Sequence, residues 1–190
     1  MNFATGSRNI TRLLAIALII TGAASLASAQ ALNSGAQPIA LSATLAESLT
    51  LSLTANAVNF PLTAGAAANP GSTNITATTT WALKASRTAV VVDAYFTSAA
   101  AALTDGAGNN IPSSAFTIAD NGGAAAPLVN SVAFGGALAG LQLANVAITA
   151  ANRAGTRNDI MAFNINLTTL PQLPAATFTG TLNIQAQATP

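Results

Sequence analysis

Five carboxylates are the residues of this 190-residue chain most able to do acid–base chemistry: Glu47, Asp93, Asp105, Asp120 and Asp159. Two carboxylates facing each other across a cleft can hydrolyse a glycosidic bond, and Glu47 with one of the aspartates at 93, 105 or 120 would supply them. Each acidic residue is, however, at least 12 positions from the next. Aspartates in turns commonly accept hydrogen bonds from their own backbone. We therefore expect isolated turn residues and no catalytic pair.

Neither a serine nucleophile nor a metal site is indicated. Ser113 and Ser114 with Lys84 suggest a Ser–Lys hydrolase, but no nucleophile elbow surrounds them, and Lys84 suits a charge at a sheet edge. Residues 105–110 resemble a calcium loop that lacks its closing glutamate. The chain has no His and no Cys, which removes the usual ligands of zinc, haem and iron–sulfur centres. The sequence predicts no enzyme, no cofactor and no metal.

Two surface patterns have a binding interpretation as well as a structural one. Trp81, Tyr95 and the phenylalanines could line a sugar-binding face, but aromatic residues make up only 5% of the chain. They are more economically explained as the core. The threonines between residues 76 and 80 suggest an ice-binding surface, which requires regular, flat repetition over several coils. We do not find that repetition in this chain.

The first 29 residues have the pattern of a secretory signal peptide. Arg8 and Arg12 form its positive region, residues 13–20 are an apolar run too short to cross a bilayer comfortably, and Ala-Ser-Ala at 27–29 is a cleavage pattern. A retained membrane anchor is the alternative. We predict cleavage after Ala29, a mature chain that begins at Gln30, and an extracellular or cell-surface location.

Charge is scarce, at 6% of residues against roughly a quarter in an average protein. The net charge is +1, and removal of the two signal-peptide arginines leaves four cations and five carboxylates, a net charge of −1. Nucleic-acid binding needs a basic cluster, which this sequence lacks. A nearly uncharged surface favours assembly or lateral packing. We expect partners that are copies of this chain or other surface proteins, with no nucleic acid and no membrane after cleavage.

Alternation of apolar and hydroxyl-bearing residues predicts an all-β protein. Residues 39–45 and 49–53 alternate in this way, with Glu47 at a turn or bulge between them. Further strands are predicted over residues 73–83, 88–96, 115–119, 141–150, 161–167 and 177–188. No fixed-length repeat supports a solenoid. Seven to nine short strands therefore predict one antiparallel, Ig-like β-sandwich domain over residues 30–190, within which residues 30–46 are an N-terminal extension or an exchanged strand.

The two ends of the predicted domain carry a family resemblance. The strand Leu-Thr-Leu-Ser-Leu at 49–53 is followed by Val-Asn-Phe at 58–60, and Leu-Pro-Ala at 173–175 precedes Phe-Thr-Gly-Thr at 178–181. This pattern resembles bacterial secreted pilin-like β-sandwich domains, the group that includes spore-coat-protein-U-like and fimbrial subunits. The resemblance implies a structural subunit of a surface fibre, pilus or coat.

In such a subunit, one copy's N-terminal strand would complete another copy's sheet through backbone hydrogen bonds and alternate side chains. The candidate face for this exchange is Ile39, Leu41, Ala43 and Leu45. The same residues could instead form the first strand of a self-complete sandwich, because alternation does not distinguish the two. A monomeric adhesin or carbohydrate-binding module, with a patch in loops 97–114 and 120–140, is the alternative function.

Overall fold

The computed structural model describes residues 32–190, so the predicted signal peptide and its cleavage site lie outside the described residues. Residues 44–190 form a compact unit. Residues 32–43 belong to a separate unit, contain no helix or strand, and have exposed side chains.

The described part is all-β and antiparallel, as the sequence predicts, with one short 3₁₀ turn at Ser113–Ala115. Alternating burial along the longer strands accounts for their formation, because one face of each packs inward and the other carries mostly hydroxyl or amide groups. The eleven strands are β1 (Ser48–Leu53), β2 (Asn69–Pro70), β3 (Ile75–Ala82), β4 (Ala89–Tyr95), β5 (Leu103–Thr104), β6 (Asn110–Ile111), β7 (Phe116–Asp120), β8 (Ala126–Pro127), β9 (Gly140–Ala147), β10 (Ala154–Ile165) and β11 (Asn183–Thr189).

The larger sheet has six strands in the order β1-β3-β10-β7-β8, and β2 adds to β10 beside this path. Strand β10 is its longest member. It pairs with β3 from Ala154 to Met161 and with β7 from Met161 to Ile165. The two halves of β10 therefore pair with β3 and β7, which lie far apart in the sequence.

The smaller sheet has three strands in the order β11-β4-β9, and β5 and β6 form a separate two-stranded hairpin. A β-bulge interrupts the pairing of β4 with β9 between Val92 and Asp93. Val90 and Val92 are fully buried whereas Val91 is half-buried. Strand β4 is the central strand of this sheet, and its side chains are more completely buried on the face of Val90 and Val92 than at Val91.

One hydrophobic core receives side chains from both larger sheets, including Met161 of β10 and Ala94 of β4. The Phe116 ring lies at its centre, with the rings of Phe60, Phe96 and Phe163 at centroid distances of 5.5, 5.2 and 5.9 Å. Large rings fill the volume that the many alanines of this chain leave empty.

Three predicted elements differ from the observed ones. Residues 39–45, whose alternation predicts a strand, form none in the structure. Strand β10 begins at Ala154, seven residues before its predicted start at Met161. Strand β11 begins at Asn183, and of the predicted residues before it only Thr179 makes a bridge, to Thr104.

Candidate functional site

Strands β1 and β11 border an opening on one side of the unit formed by residues 44–190. Within the described residues, β1 pairs with β3 alone and β11 pairs with β4 alone. Each strand therefore presents one row of backbone N–H and C=O groups without a strand partner, and such edges are templates for pairing with another chain. We call this opening the β1–β11 cleft.

The β1–β11 cleft has a volume of about 640 Å³. The segment that follows β1 lines one wall and the segment that leads into β11 lines the other; they are residues 53–62 and 176–184. Core side chains, among them Phe116, Met161 and Phe163, are also part of its lining. The cleft thus combines core side chains with polar groups of its walls, and it reaches the two edge strands at Leu53 and Ile184.

Charged side chains line a second, smaller pocket, where the start of β1 lies near the end of β11. The Glu47 carboxylate accepts from Arg87 Nε at 3.1 Å and lies 3.2 Å from Lys84 Nζ. Arg87 Nη1 also donates to the Ala188 carbonyl oxygen at 3.3 Å. Hydrogen bonds from the Arg87 side chain and the Lys84 backbone lower the pKa of Glu47 to about 2. Glu47, which immediately precedes β1, is therefore the central carboxylate of an ion cluster.

The N-terminal segment carries the apolar residues singled out from the sequence. Ile39, Leu41 and Leu45 are 83%, 92% and 91% exposed, and Ala43 is exposed as well. An isolated exposed apolar residue is ordinary. Three large apolar residues on one side of an extended segment, however, would gain free energy if a partner buried them together. This segment and the cleft are the two features that the function has to explain.

The partners of Glu47 are Lys84 and Arg87. No hydrogen bond or ion pair among the described residues joins Glu47 to another carboxylate. Asp105 accepts from the Ala107 and Asn109 backbone N–H groups and from the Asn109 amide, which lower its pKa, the amide most. Both its oxygens are occupied by its own loop, so residues 105–110 form a turn as expected. Asp93 is buried in β4, and desolvation raises its pKa.

A different carboxylate pair, missed in the sequence, lies where β7 meets β10. Arg157 Nη2 is 2.7 Å from Asp159 Oδ1 and 3.7 Å from Asp120 Oδ2. One oxygen of each aspartate is buried without a hydrogen-bond partner. Burial, followed by the negative charge of Asp159, raises the pKa of Asp120. The spacing of Arg157 and Asp159 could have indicated this cluster in the sequence, because residues two positions apart in a strand lie on the same face.

The remaining candidates have structural partners. Ser113 is buried and donates to the Leu138 carbonyl oxygen, while Lys84 pairs with Glu47, so no Ser–Lys pair forms. Trp81 is buried and its indole N–H donates to the Asn152 carbonyl oxygen at 2.9 Å. Over residues 32–190, no three metal-ligating side chains gather in one place.

The same described range contains no helix with the length and apolar character of a membrane span. No protein-family model, no curated protein and no solved structure matches this chain.

Proposed function

We propose that this protein is a secreted, non-enzymatic structural subunit of a bacterial surface fibre, pilus or coat that assembles by strand addition. Its two larger sheets form a pilin-like β-sandwich. Residues 39–45 of one copy add to the β1–β11 cleft of the next copy. The observation that carries this proposal is the exposed, alternating apolar segment on a chain whose folded unit has an open cleft that reaches core side chains.

Burial of the segment supplies the first part of the driving force. Ile39, Leu41 and Leu45 point the same way in an extended strand, and burying each is worth roughly 1.5–3 kcal/mol. Association itself costs about 4–15 kcal/mol, so these three side chains alone would hold two copies weakly. Added backbone hydrogen bonds along the free edge of β1 or β11 have to supply the rest.

The scarcity of charge favours the same function. Over residues 32–190 the four cations and five carboxylates are spread thinly, and Glu47 offsets one of the two positive charges of its neighbours Lys84 and Arg87. Copies can therefore approach with little electrostatic repulsion. The proposed secretion rests on the predicted signal peptide.

The first experiment measures assembly of the purified protein by light scattering and negative-stain electron microscopy. We expect ladders or fibres from the unaltered protein and loss of assembly in Leu41→Asp, because a carboxylate cannot enter an apolar cleft without a large desolvation cost. Ser42→Asp is the matched control, since it adds the same charge on the opposite side of the strand and should still assemble. A monodisperse monomer of the unaltered protein would overturn the proposal.

A second experiment locates the contact. Because the chain has no cysteine, single cysteines can be placed at Leu41 in one preparation and at Leu53, in the cleft wall, in another. We expect a disulfide between the two copies on mixing and oxidation, and much less when Ser42→Cys replaces Leu41→Cys. Equal yields from the two cysteines would contradict the proposed contact between the Leu41 side of the segment and the cleft.

A further inference from the structure

The outer face of β1, β3 and β10 carries a two-dimensional array of hydroxyl groups. Strand register aligns Thr50, Thr80 and Thr156 in one row across the sheet. The adjacent row consists of Ser52, Thr78 and Asn158. We call these six residues the threonine face. The alternating threonines of β3 alone gave one column of this array, and β1 and β10 supply the repetition that the linear sequence does not show.

The spacing within the threonine face follows from sheet geometry. Neighbouring strands lie about 4.8 Å apart, and residues two positions apart along a strand are separated by about 6.7 Å. The side chains are held in place: Thr80 Oγ1 and Thr156 Oγ1 are 3.2 Å apart, and Thr78 Oγ1 donates to Asn158 Oδ1 at 2.9 Å. The array is therefore ordered before any ligand binds.

The threonine face has no charged member. Four of its hydroxyl-bearing residues are exposed to solvent: Thr50, Ser52, Thr80 and Thr156. The charges of β10 lie on the other side of the strand, where Asp159 is fully buried. A hydroxyl has one donor and two acceptor sites, so each keeps hydrogen-bonding capacity toward solvent after its lateral bond. Threonine adds a methyl group beside each hydroxyl.

An ordered, uncharged lattice of hydroxyl and methyl groups matches a ligand that is itself a lattice of hydrogen-bonding oxygens. Ice presents such a lattice, with repeats of the same order in two directions. Flat polysaccharides are a weaker match, since they are usually held by stacking on aromatic rings. The only tryptophan, Trp81, faces inward from β3, where it is 5% exposed.

We propose that the threonine face binds the surface of ice crystals. This inference does not depend on the proposed assembly, because the face lies on the sheet surface and the β1–β11 cleft lies at the sheet edge. Assembly into a fibre would place many copies of the face on one particle.

The test measures incorporation of the purified protein into slowly growing ice, together with inhibition of ice recrystallisation. We expect the unaltered protein to enter the ice and to slow recrystallisation. Thr80→Lys should lose both effects, because a long charged side chain keeps its own hydration shell and holds the face away from the lattice. Thr50→Lys, on the edge strand, gives a second variant in case Thr80→Lys does not fold, and thermal melting checks both.

Gln187→Lys on β11 is the matched control, as it adds the same charge to the smaller sheet and should leave ice incorporation unchanged. Leu41→Asp should also remain active, which separates this inference from the proposed assembly. Exclusion of the unaltered protein from ice would overturn the inference. Equal activity of the folded Thr80→Lys or Thr50→Lys variant and Gln187→Lys would overturn it too.

Discussion

The Glu47 carboxylate and the Arg87 guanidinium form a side-on pair, with Nε 3.1 Å from Oε1 and Nη2 3.4 Å from Oε2. Arg87 also bonds to the Ala188 carbonyl oxygen in β11. One arginine therefore joins the start of β1 to the end of β11, the two strands that border the cleft. This connection ties the two edge strands together at the smaller pocket.

Acid should weaken this connection in a defined range of pH. The pKa of Glu47 is lowered from 4.5 to about 2 in the folded chain, so the unfolded chain takes up a proton first as pH falls. The stability that the pair contributes is complete above about pH 4.5 and is lost as pH falls to about 2. We expect the difference in urea midpoint between the unaltered protein and Glu47→Gln to shrink across this range. A difference independent of pH would contradict this assignment.

The contribution of Asp120 to stability should change with pH in the opposite direction. Burial and the charge of Asp159 raise its pKa above 3.8, so the folded chain binds this proton more tightly than the unfolded chain. Ionisation of Asp120 therefore costs stability as pH rises through its folded pKa. We expect Asp120→Asn to match or exceed the unaltered protein in melting temperature at pH 7, with no gain below the ordinary pKa of 3.8.

Asp159→Asn provides the contrast at the same site. It leaves the half-exposed Arg157 guanidinium without its 2.7 Å carboxylate partner, which should cost roughly 1–3 kcal/mol of unfolding free energy. Equal losses from the two substitutions would show that Asp120, like Asp159, stabilises Arg157.

Phe116 should dominate the stability of the core. Its ring contacts three other phenylalanine rings, and it is 4% exposed. Phe116→Ala should lower the unfolding free energy by about 3–5 kcal/mol. Phe134 is 58% exposed, so Phe134→Ala is the matched control. It should change the unfolding free energy by less than about 0.5 kcal/mol. Chemical denaturation followed by tryptophan fluorescence measures both, and similar losses would contradict the described core.

Gly180 should resist substitution because the chain passes close to β5 there. A Cβ atom at this position would overlap the Ala102 carbonyl oxygen. The neighbouring Thr179 and Thr104 exchange two backbone hydrogen bonds of 2.9 Å, and these would have to lengthen. We expect Gly180→Ala to lower the melting temperature and to speed amide exchange at Thr179. The exposed neighbour Thr181 is the control, and Thr181→Ala should have little effect on either measurement.

Alternation in the sequence was sufficient to predict strands wherever the inward positions are apolar. Strands β1, β3, β4 and β7 follow this rule, and their observed bounds lie close to the predicted ones. The first half of β10 does not, because Arg157 and Asp159 occupy its inward positions and neutralise each other there. A pattern of apolar residues cannot reveal a strand whose inward face is an ion pair.

The candidate site was predictable only in part. The residues that we propose as the exchange face could be named from the sequence because their alternation is local. The β1–β11 cleft and the threonine face depend on which strands become neighbours, and this pairing joins residues such as Thr78 and Asn158 that are 80 positions apart. The segment before β11 alternates as a strand does, yet Gly180 packs against the Ala102 backbone, a contact with no local signature.

The position of β10 in the larger sheet has a kinetic consequence. This strand joins β3 to β7, yet it is made after both of them, and β11 follows later still. Although β1 and β8 are available earlier to pair with β3 and β7, the two parts of the larger sheet cannot be joined until β10 has been made, and such distant pairing slows folding. We therefore expect the larger sheet to form as a whole only after β10 has been synthesised.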